Sequence, residues 1–509
     1  MSRPVMPGAE EVADATQGTA LARGAALNTL ALVASNLRGL FTLLIARLLG
    51  DAALGTFGVA WAVVDLASKG GTLGLDYRLT ALIAATEAKG ERATSHHLFR
   101  EASRVCVVAG LAVAVVGASL AAASTRLTAV QPDLAWTIAV LFLAVPGLSV
   151  YRVSNAASRG MRALRHDIYS RGLTESLVSA GALLVLACLG VGVSAAALAA
   201  VAGALASGTV AWRLARRLFA PGPPTGVRAQ RGWLRDSMPV AAYDFLNSAI
   251  MRLDVILLGL FIGRAPEVTL QTVGIYAAAV EIAGGLRKVS QAFTPIFTPV
   301  LAEHLAAGRV REAEESYAYV ARWMLAILLP AVAVIALSGG AVLSVFGPSF
   351  RRGAPWLTLA AAACALNAFV GLGETILLVA RPRWNMVNAA VACLAALILN
   401  VWLIPRYGPL GAAIGMLAPY VLQGVLRGVA VVRVLDWQWP WRPLRRPWLA
   451  ALVALPLGLL VRTVASGLGA EIGAGALYVL AYACAWYRLG LEPADRAILE
   501  RLRKRPVLP

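Results

Sequence analysis

Long apolar stretches, each bounded by a short polar or basic segment, follow one another along almost the whole chain. A bilayer crossing takes about 20 such residues. By that measure the pattern predicts about fourteen spanning helices, at approximately 23–49, 54–84, 101–124, 133–158, 168–190, 194–218, 236–263, 270–300, 317–338, 354–380, 384–404, 409–434, 447–467 and 471–489. Several exceed one bilayer thickness and are expected to tilt, kink or protrude. Residues 1–22 have no apolar core and read as a disordered cytoplasmic tail, leaving the first span as the insertion signal. Residues 491–509 read as a basic cytoplasmic tail.

The polar segments between the stretches set the orientation. With both ends inside, the cytoplasmic loops and tails hold about thirty Arg and Lys, whereas the opposite loops hold only Arg126, Arg264, Arg351, Arg352 and Arg406. That asymmetry is the positive-inside pattern of a bacterial inner-membrane protein, and a miscounted span would scramble it. It also accounts for the net charge of +19 without nucleic acid.

The longest Pro/Gly-rich polar segment, 220–232, separates 23–219, with six spans, from 233–434, with six more; 435–490 appends the last two. The two sets echo each other. "GTFGVAWAVVDLASKG" from Gly55 and "GIYAAAVEIAGGLRKV" from Gly274 both run Gly, aromatic, small residues, acid, then Lys. Lys69 and Lys288 each lie fourteen residues after the leading Gly, and the same offset carries Arg162 onto Arg381. This predicts a six-plus-six duplication, an arrangement in which transporters bind substrate between repeats.

Composition narrows the class. The chain of 509 residues is 59% hydrophobic and 14% charged, with a mean hydropathy of +0.71; soluble domains are about a quarter charged, which excludes a soluble globular protein. The five cysteines fall in apolar stretches without CxxC spacing and read as small buried apolar residues. His96 and His97 adjoin in a basic loop with no partner ligands for a metal. No GK[ST] phosphate loop and no Ser/His/Asp set is present. The expectation is a transporter, not an enzyme, with no cofactor and with H+ or Na+ as candidate coupling ions.

The informative residues are charges at bilayer depth, each costing several kcal/mol on insertion scales. Asp65 and Lys69 are four apart and could neutralise each other along one helix. Arg47, Arg78 and Asp76 lie near helix ends and can snorkel. Arg38, Arg152, Arg252, Arg287 and Lys288 lie deeper, accompanied by the carboxylates Asp65, Asp244, Asp254, Glu281 and Glu374. Arg252 and Asp254 are two apart, so they project to different sides of a helix. Only four residues are lysine, and two of them are Lys69 and Lys288 at matched places. A compact, hydrated ammonium suits a mobile phosphate. Arg38, Lys69, Arg152, Arg252, Arg287 and Lys288 are therefore the candidate substrate-binding cations of a wet cavity, and the carboxylates tune them or couple ions. Sugar recognition would fall to polar and aromatic side chains such as Trp61, Tyr151, Asn155, Tyr243, Asn247 and Asn367. Gly70, Gly71 and Gly74, with Pro295 and Pro299, mark places where spans two and eight can bend.

"LFTLLIARLLGDAALGTFGVAWAVVDLASKGGTLGLDYRLTALIA", "MRLDVILLGLFIG", "VGIYAAAVEIAGGLRKVSQAFTPIFTPVLAEH" and "NVWLIPRYGPLGAAIGMLAPYV" resemble the polysaccharide-specific transporters, Wzx-type flippases of the multidrug/oligosaccharidyl-lipid/polysaccharide (MOP) exporter superfamily. The resemblance covers most of 20–435. It implies an all-α membrane protein with two six-helix lobes in a V shape, plus two C-terminal helices. The implied cargo is oligosaccharide on undecaprenyl pyrophosphate, moved by ion-coupled alternating access for O-antigen, exopolysaccharide or capsule, with a polymerase and export machinery as further partners. Only Asp254 and the turn Val273–Tyr276 carry over as motif residues, Asp254 as a cross-helix structural pair. A flippase for the lipid-linked peptidoglycan precursor and a cation-coupled multidrug exporter are the alternatives.

Overall fold

The computed structural model describes residues 39–127, 131–219, 233–380, 382–438, 441–490 and 495. Arg38, Arg381, the 220–232 segment and both predicted tails apart from Asp495 lie outside them. The described residues are mostly helical, with no strand among them. They form α1 (Gly39–Ala67), α2 (Leu75–Ala88), α3 (Arg92–Leu127), α4 (Pro132–Gly160), α5 (Arg165–Cys188), α6 (Ser194–Arg216), α7 (Trp233–Ile250), α8 (Leu253–Leu260), α9 (Leu270–Gly284), α10 (Lys288–Ala306), α11 (Val310–Ser344), α12 (Ala354–Ala380), α13 (Pro382–Leu435), α14 (Trp441–Val464) and α15 (Leu468–Ala485).

Ten helices among the described residues are long and apolar enough to cross a bilayer. One of these, α13, is two helices joined at Gly408 (φ 54°, ψ −134°), and α1 turns at Gly50 (φ +88°). Positive φ favours glycine, and both glycines fall at predicted boundaries between spans. Expected spans seven and eight are absent from the ten because each is interrupted partway, and span two enters only through its first part, to Ala67, at the end of α1.

The chain divides into two compact units. The first comprises residues up to Leu48 and Val63–Ala242. Its core is built on Leu75, Leu79 and Ile83, one face of α2 at i, i+4, i+8, packed on Leu98, Phe99, Ala102 and Cys106 of α3, Val153, Ala156 and Ala157 of α4, and Phe219. The opposite side of α3 exposes Val108, Leu111, Val115 and Leu120, as expected of a helix solvated by lipid. The same reasoning corrects the cysteine expectation. Cys106 and Cys364 are buried, but Cys188 and Cys484 are exposed; inside hydrocarbon an apolar side chain gains nothing by turning inward.

The second unit comprises Leu49–Ala62 and Tyr243–Pro509. Phe297, Leu301, Tyr317, Met324, Leu328, Leu372, Ile376 and Trp437 make its main core. The appended helices α14 and α15 dock on α11 through Leu337, Ala450, Ala454, Ala474, Tyr478 and Tyr482. Polar ties hold the same contact: the Ser338 hydroxyl donates to Glu471 O at 2.8 Å, and Glu471 takes ion pairs from Arg351 at 3.2 Å and Arg462 at 3.1 Å.

The Leu49–Ala62 segment of α1 joins this unit because it crosses α9 with no side chain between them. The leading glycines of the two echoing stretches, Gly55 and Gly274, meet there. A methyl group on Gly55 would overlap the carbonyl oxygen of Leu270, and one on Gly274 would overlap that of Asp51. The contact is reciprocal: each blocking carbonyl lies one helical turn before the other glycine.

Candidate functional site

The three interrupted spans carry four of the six candidate cations, Lys69, Arg252, Arg287 and Lys288, and each break falls at a cation. α1 ends at Ala67, and the chain passes through a non-helical turn at 68–74 before α2; Lys69 lies in that turn, half-buried. Two local hydroxyls cap freed carbonyls, Ser68 Oγ donating to Asp65 O at 2.6 Å and Thr72 Oγ1 to Lys69 O at 3.2 Å. Met251 and Arg252 separate α7 from α8, with Arg252 at φ −123°, ψ −17°. A single 3₁₀ turn, Gly285–Arg287, separates α9 from α10, which begins at Lys288. Arg252, Arg287 and Lys288 are half-buried as well. Among the described residues Arg287 makes no hydrogen bond or ion pair.

A broken helix at membrane depth leaves main-chain N–H and C=O groups that hydrocarbon cannot satisfy, so such backbone is tolerated only against protein or water. The half-exposure of Lys69, Arg252, Arg287 and Lys288 is what a polar, hydrated surface requires of a cation, and none of the four is sealed in the protein interior. Discontinuous spans are where secondary transporters build ion and substrate sites.

The carboxylates divide differently. Asp65 pairs with Arg152 at 3.3 Å, both largely shielded, so a candidate cation on α4 is met by a candidate acid on α1. Asp254, 1% exposed, accepts a hydrogen bond from the Tyr276 hydroxyl at 2.6 Å. It points into the core while Arg252 is half-exposed, as the two-residue spacing predicts. Glu281 is exposed one turn before the third break, and Asp244 is half-buried on α7. Glu374 of α12 accepts a short hydrogen bond from Tyr243 and an ion pair from Arg427 of α13 at 3.0 Å; Asn385 Nδ2 donates to its main-chain oxygen at 2.9 Å.

Arg427 did not figure among the sequence candidates, although "GVLRGVAVV" holds it mid-span like the others. It is 2% exposed, whereas Glu374 is 26% exposed. The asymmetry has a testable consequence. Glu374→Gln leaves a dry guanidinium without its counter-charge, a loss of about 3–5 kcal/mol for a broken buried pair. Arg427→Met leaves a carboxylate that keeps the Tyr243 hydroxyl and water, at a cost of about 1–3 kcal/mol. Thermal unfolding in detergent is expected to rank Arg427→Met above Glu374→Gln, and the reverse order would contradict the geometry.

A second polar cluster, on α4 and α5 of the first unit, also escaped the sequence reading. A π-helical stretch, Ile168–Glu175, interrupts α5. Around it the Tyr151 hydroxyl donates to Asp167 Oδ1 at 2.5 Å, Asn155 Nδ2 donates to the same oxygen at 3.0 Å, and the Arg171 guanidinium lies 5.6 Å from the Tyr151 ring centre. Asp167 and Arg171 fall in a segment that reads as a loop end by hydropathy; π-bulges frequently mark functional sites. Of the proposed sugar-contacting residues, Tyr151 and Asn155 are engaged by Asp167, Tyr243 is engaged by Glu374, and Trp61 is buried against Phe57.

Helical architecture and ten helices long and apolar enough to cross a bilayer among the described residues define a multi-pass membrane protein. Solved structures give the fold. The lipid II flippase MurJ in an inward-closed conformation superposes with a TM-score of 0.68 at 10% identity, covering 94% of this chain and 99% of that one. An inward-facing multidrug-resistance MATE family transporter of the MOP superfamily gives 0.63 at 16% identity, covering 79% and 94%. A MOP superfamily transporter from Pyrococcus furiosus, described as having reversed pocket polarity, gives 0.56 at 16% identity, covering 81% and 95%. None of the curated proteins matches the chain. The family model described as polysaccharide biosynthesis protein matches residues 21–304, and the chain belongs to that family.

Proposed function

We propose that the chain is a flippase that carries oligosaccharide repeat units, linked to undecaprenyl pyrophosphate, across the bacterial inner membrane for O-antigen, exopolysaccharide or capsule synthesis, with both termini in the cytoplasm. The observation that carries this reading is the coincidence of Lys69, Arg252, Arg287 and Lys288 with breaks in otherwise apolar spans. A diphosphate is a compact anion that hydrocarbon rejects. Half-exposed cations replace its hydration, while the polyprenyl tail never leaves the lipid. Glu281 and Glu374 keep contact with solvent and are the carboxylates suited to H+ or Na+ coupling; Asp254, dry and held by Tyr276, serves packing.

Family membership favours a glycan cargo over a drug, and cationic drugs would be repelled by these breaks. Fold likeness to MurJ supports a second reading, transport of the lipid-linked peptidoglycan precursor. Deleting the gene separates them. Undecaprenyl-linked repeat units are expected to accumulate while cell-wall growth continues; arrest of wall growth with accumulated lipid-linked precursor would establish the second reading instead.

A further inference from the structure

At one end of the first unit, the end the charge asymmetry assigns to the cytoplasm, α3 begins and α6 finishes. A cavity of about 440 Å³ opens there, lined by His96, Trp212, Arg213, Arg216, Arg217 and Phe219. Basic residues in the last turn of a helix offset its dipole and mark the inner face of a membrane protein, which explains their presence. It does not explain the walls.

Phe219, 7% exposed, forms a fixed floor. It stacks on Phe99 at 5.2 Å and carries the His96 ring at 6.1 Å on a nearly parallel plane. The Arg216 guanidinium lies 5.2 Å from the Trp212 ring centre, held by a cation–π contact. His97 turns away to Glu101 at 3.6 Å. Among the described residues Arg213, Arg216 and Arg217 form no ion pair with a carboxylate. Three exposed guanidiniums are thus gathered on an aromatic floor without a protein counter-charge.

The approach to the cavity is apolar. Leu198, Leu205 and Trp212 recur at seven-residue spacing along α6, which places them on one face, and all three are exposed. A soluble anion has no use for such a stripe, whereas an acyl chain would lie along it. We infer that this cavity is a binding site for the phosphodiester headgroup of an anionic phospholipid. The phosphate sits among Arg213, Arg216 and Arg217, which suit it through their forked donors, and the acyl chains run along Leu205 and Leu198. The site is independent of the transport reading above.

Native mass spectrometry of the full chain, titrated with phosphatidylglycerol or phosphatidylcholine, tests it. Each arginine near an anionic lipid contributes about fivefold in affinity. Arg217→Gln is therefore expected to weaken phosphatidylglycerol binding about fivefold, and the triple Arg213→Ala/Arg216→Ala/Arg217→Ala roughly a hundredfold, with weak phosphatidylcholine binding unchanged. The triple Arg442→Ala/Arg445→Ala/Arg446→Ala removes equal charge elsewhere and is expected to leave binding within twofold. The proposal is overturned if the first triple retains phosphatidylglycerol within twofold, or if the second loses as much. Millimolar inorganic phosphate that displaces the lipid and alone raises the unfolding temperature would make the occupant a soluble anion and overturn it equally.

Discussion

Gly274→Ala is expected to remove most of the folded protein, although alanine is the better helix former by about 1 kcal/mol in water. The added methyl group would overlap the Asp51 carbonyl oxygen and lie 2.9 Å from Gly55 N. Both are main-chain atoms of α1, so no rotamer change relieves the overlap, and the two helices must separate. Overpacking against mobile side chains costs about 1–3 kcal/mol; against rigid backbone the loss is expected at or above the top of that range. Gly55→Ala is expected to do the same through Leu270. Since one separation relieves both clashes, the double substitution should cost clearly less than the sum of the singles, the non-additivity of groups in contact. Gly181, which has nothing within 4 Å of an added Cβ, is the control. The check is size-exclusion yield and unfolding temperature in detergent. A Gly274→Ala protein that melts with Gly181→Ala would mean that α1 and α9 do not touch there.

That crossing shows what a single sequence can and cannot disclose. The echo between the stretches at Gly55 and Gly274 was visible as spacing alone; that the two leading glycines touch each other was not, because a repeat says nothing of where its copies meet. Hydropathy located nearly every helix, and even the boundaries at Gly50 and Gly408, since apolar length and glycine punctuation are local properties. Depth likewise singled out Lys69, Arg252, Arg287 and Lys288. The breaks in the helices at those residues were only half foreseeable: glycines at 70, 71 and 74 announce the first, but nothing around Met251 announces the second. Pairings were the least accessible part. Asp65 is met by Arg152 from a different helix, and Glu374 is met by Arg427 from a different span. The choice of partner depends on which helices pack together, and no local pattern encodes it. The same limit hid the Asp167 cluster, whose residues look like the polar end of a loop until α4 closes over them.

If the helix breaks are where the cargo's phosphates are held, the double substitution Arg287→Gln/Lys288→Gln is expected to abolish transport while leaving insertion and stability almost unchanged. The two expectations separate because the side chains are half-exposed and Arg287 has no hydrogen-bond or ion-pair partner among the described residues. Neutralising it removes only a longer-range attraction for the buried Asp254, which keeps its hydrogen bond from Tyr276, so the protein loses little. A charge-assisted hydrogen bond to an anion is worth about 1.5–3 kcal/mol, or roughly ten- to a hundredfold per contact, so each single substitution should lower flux by that factor and the pair by more than a hundredfold. Arg287→Lys keeps the charge but not the forked donors and should fall between. Flux of a lipid-linked oligosaccharide into proteoliposomes measures the first expectation and unfolding temperature the second. A soluble prenyl diphosphate links the two, since a ligand that binds only the folded chain raises its stability in proportion to the logarithm of its concentration. Wild type should be stabilised by it, and the double variant should not. Loss of flux with the diphosphate shift intact would place the defect in the conformational cycle and remove Arg287 and Lys288 from the binding site. Flux within twofold of wild type would show that these cations do not hold the cargo at all.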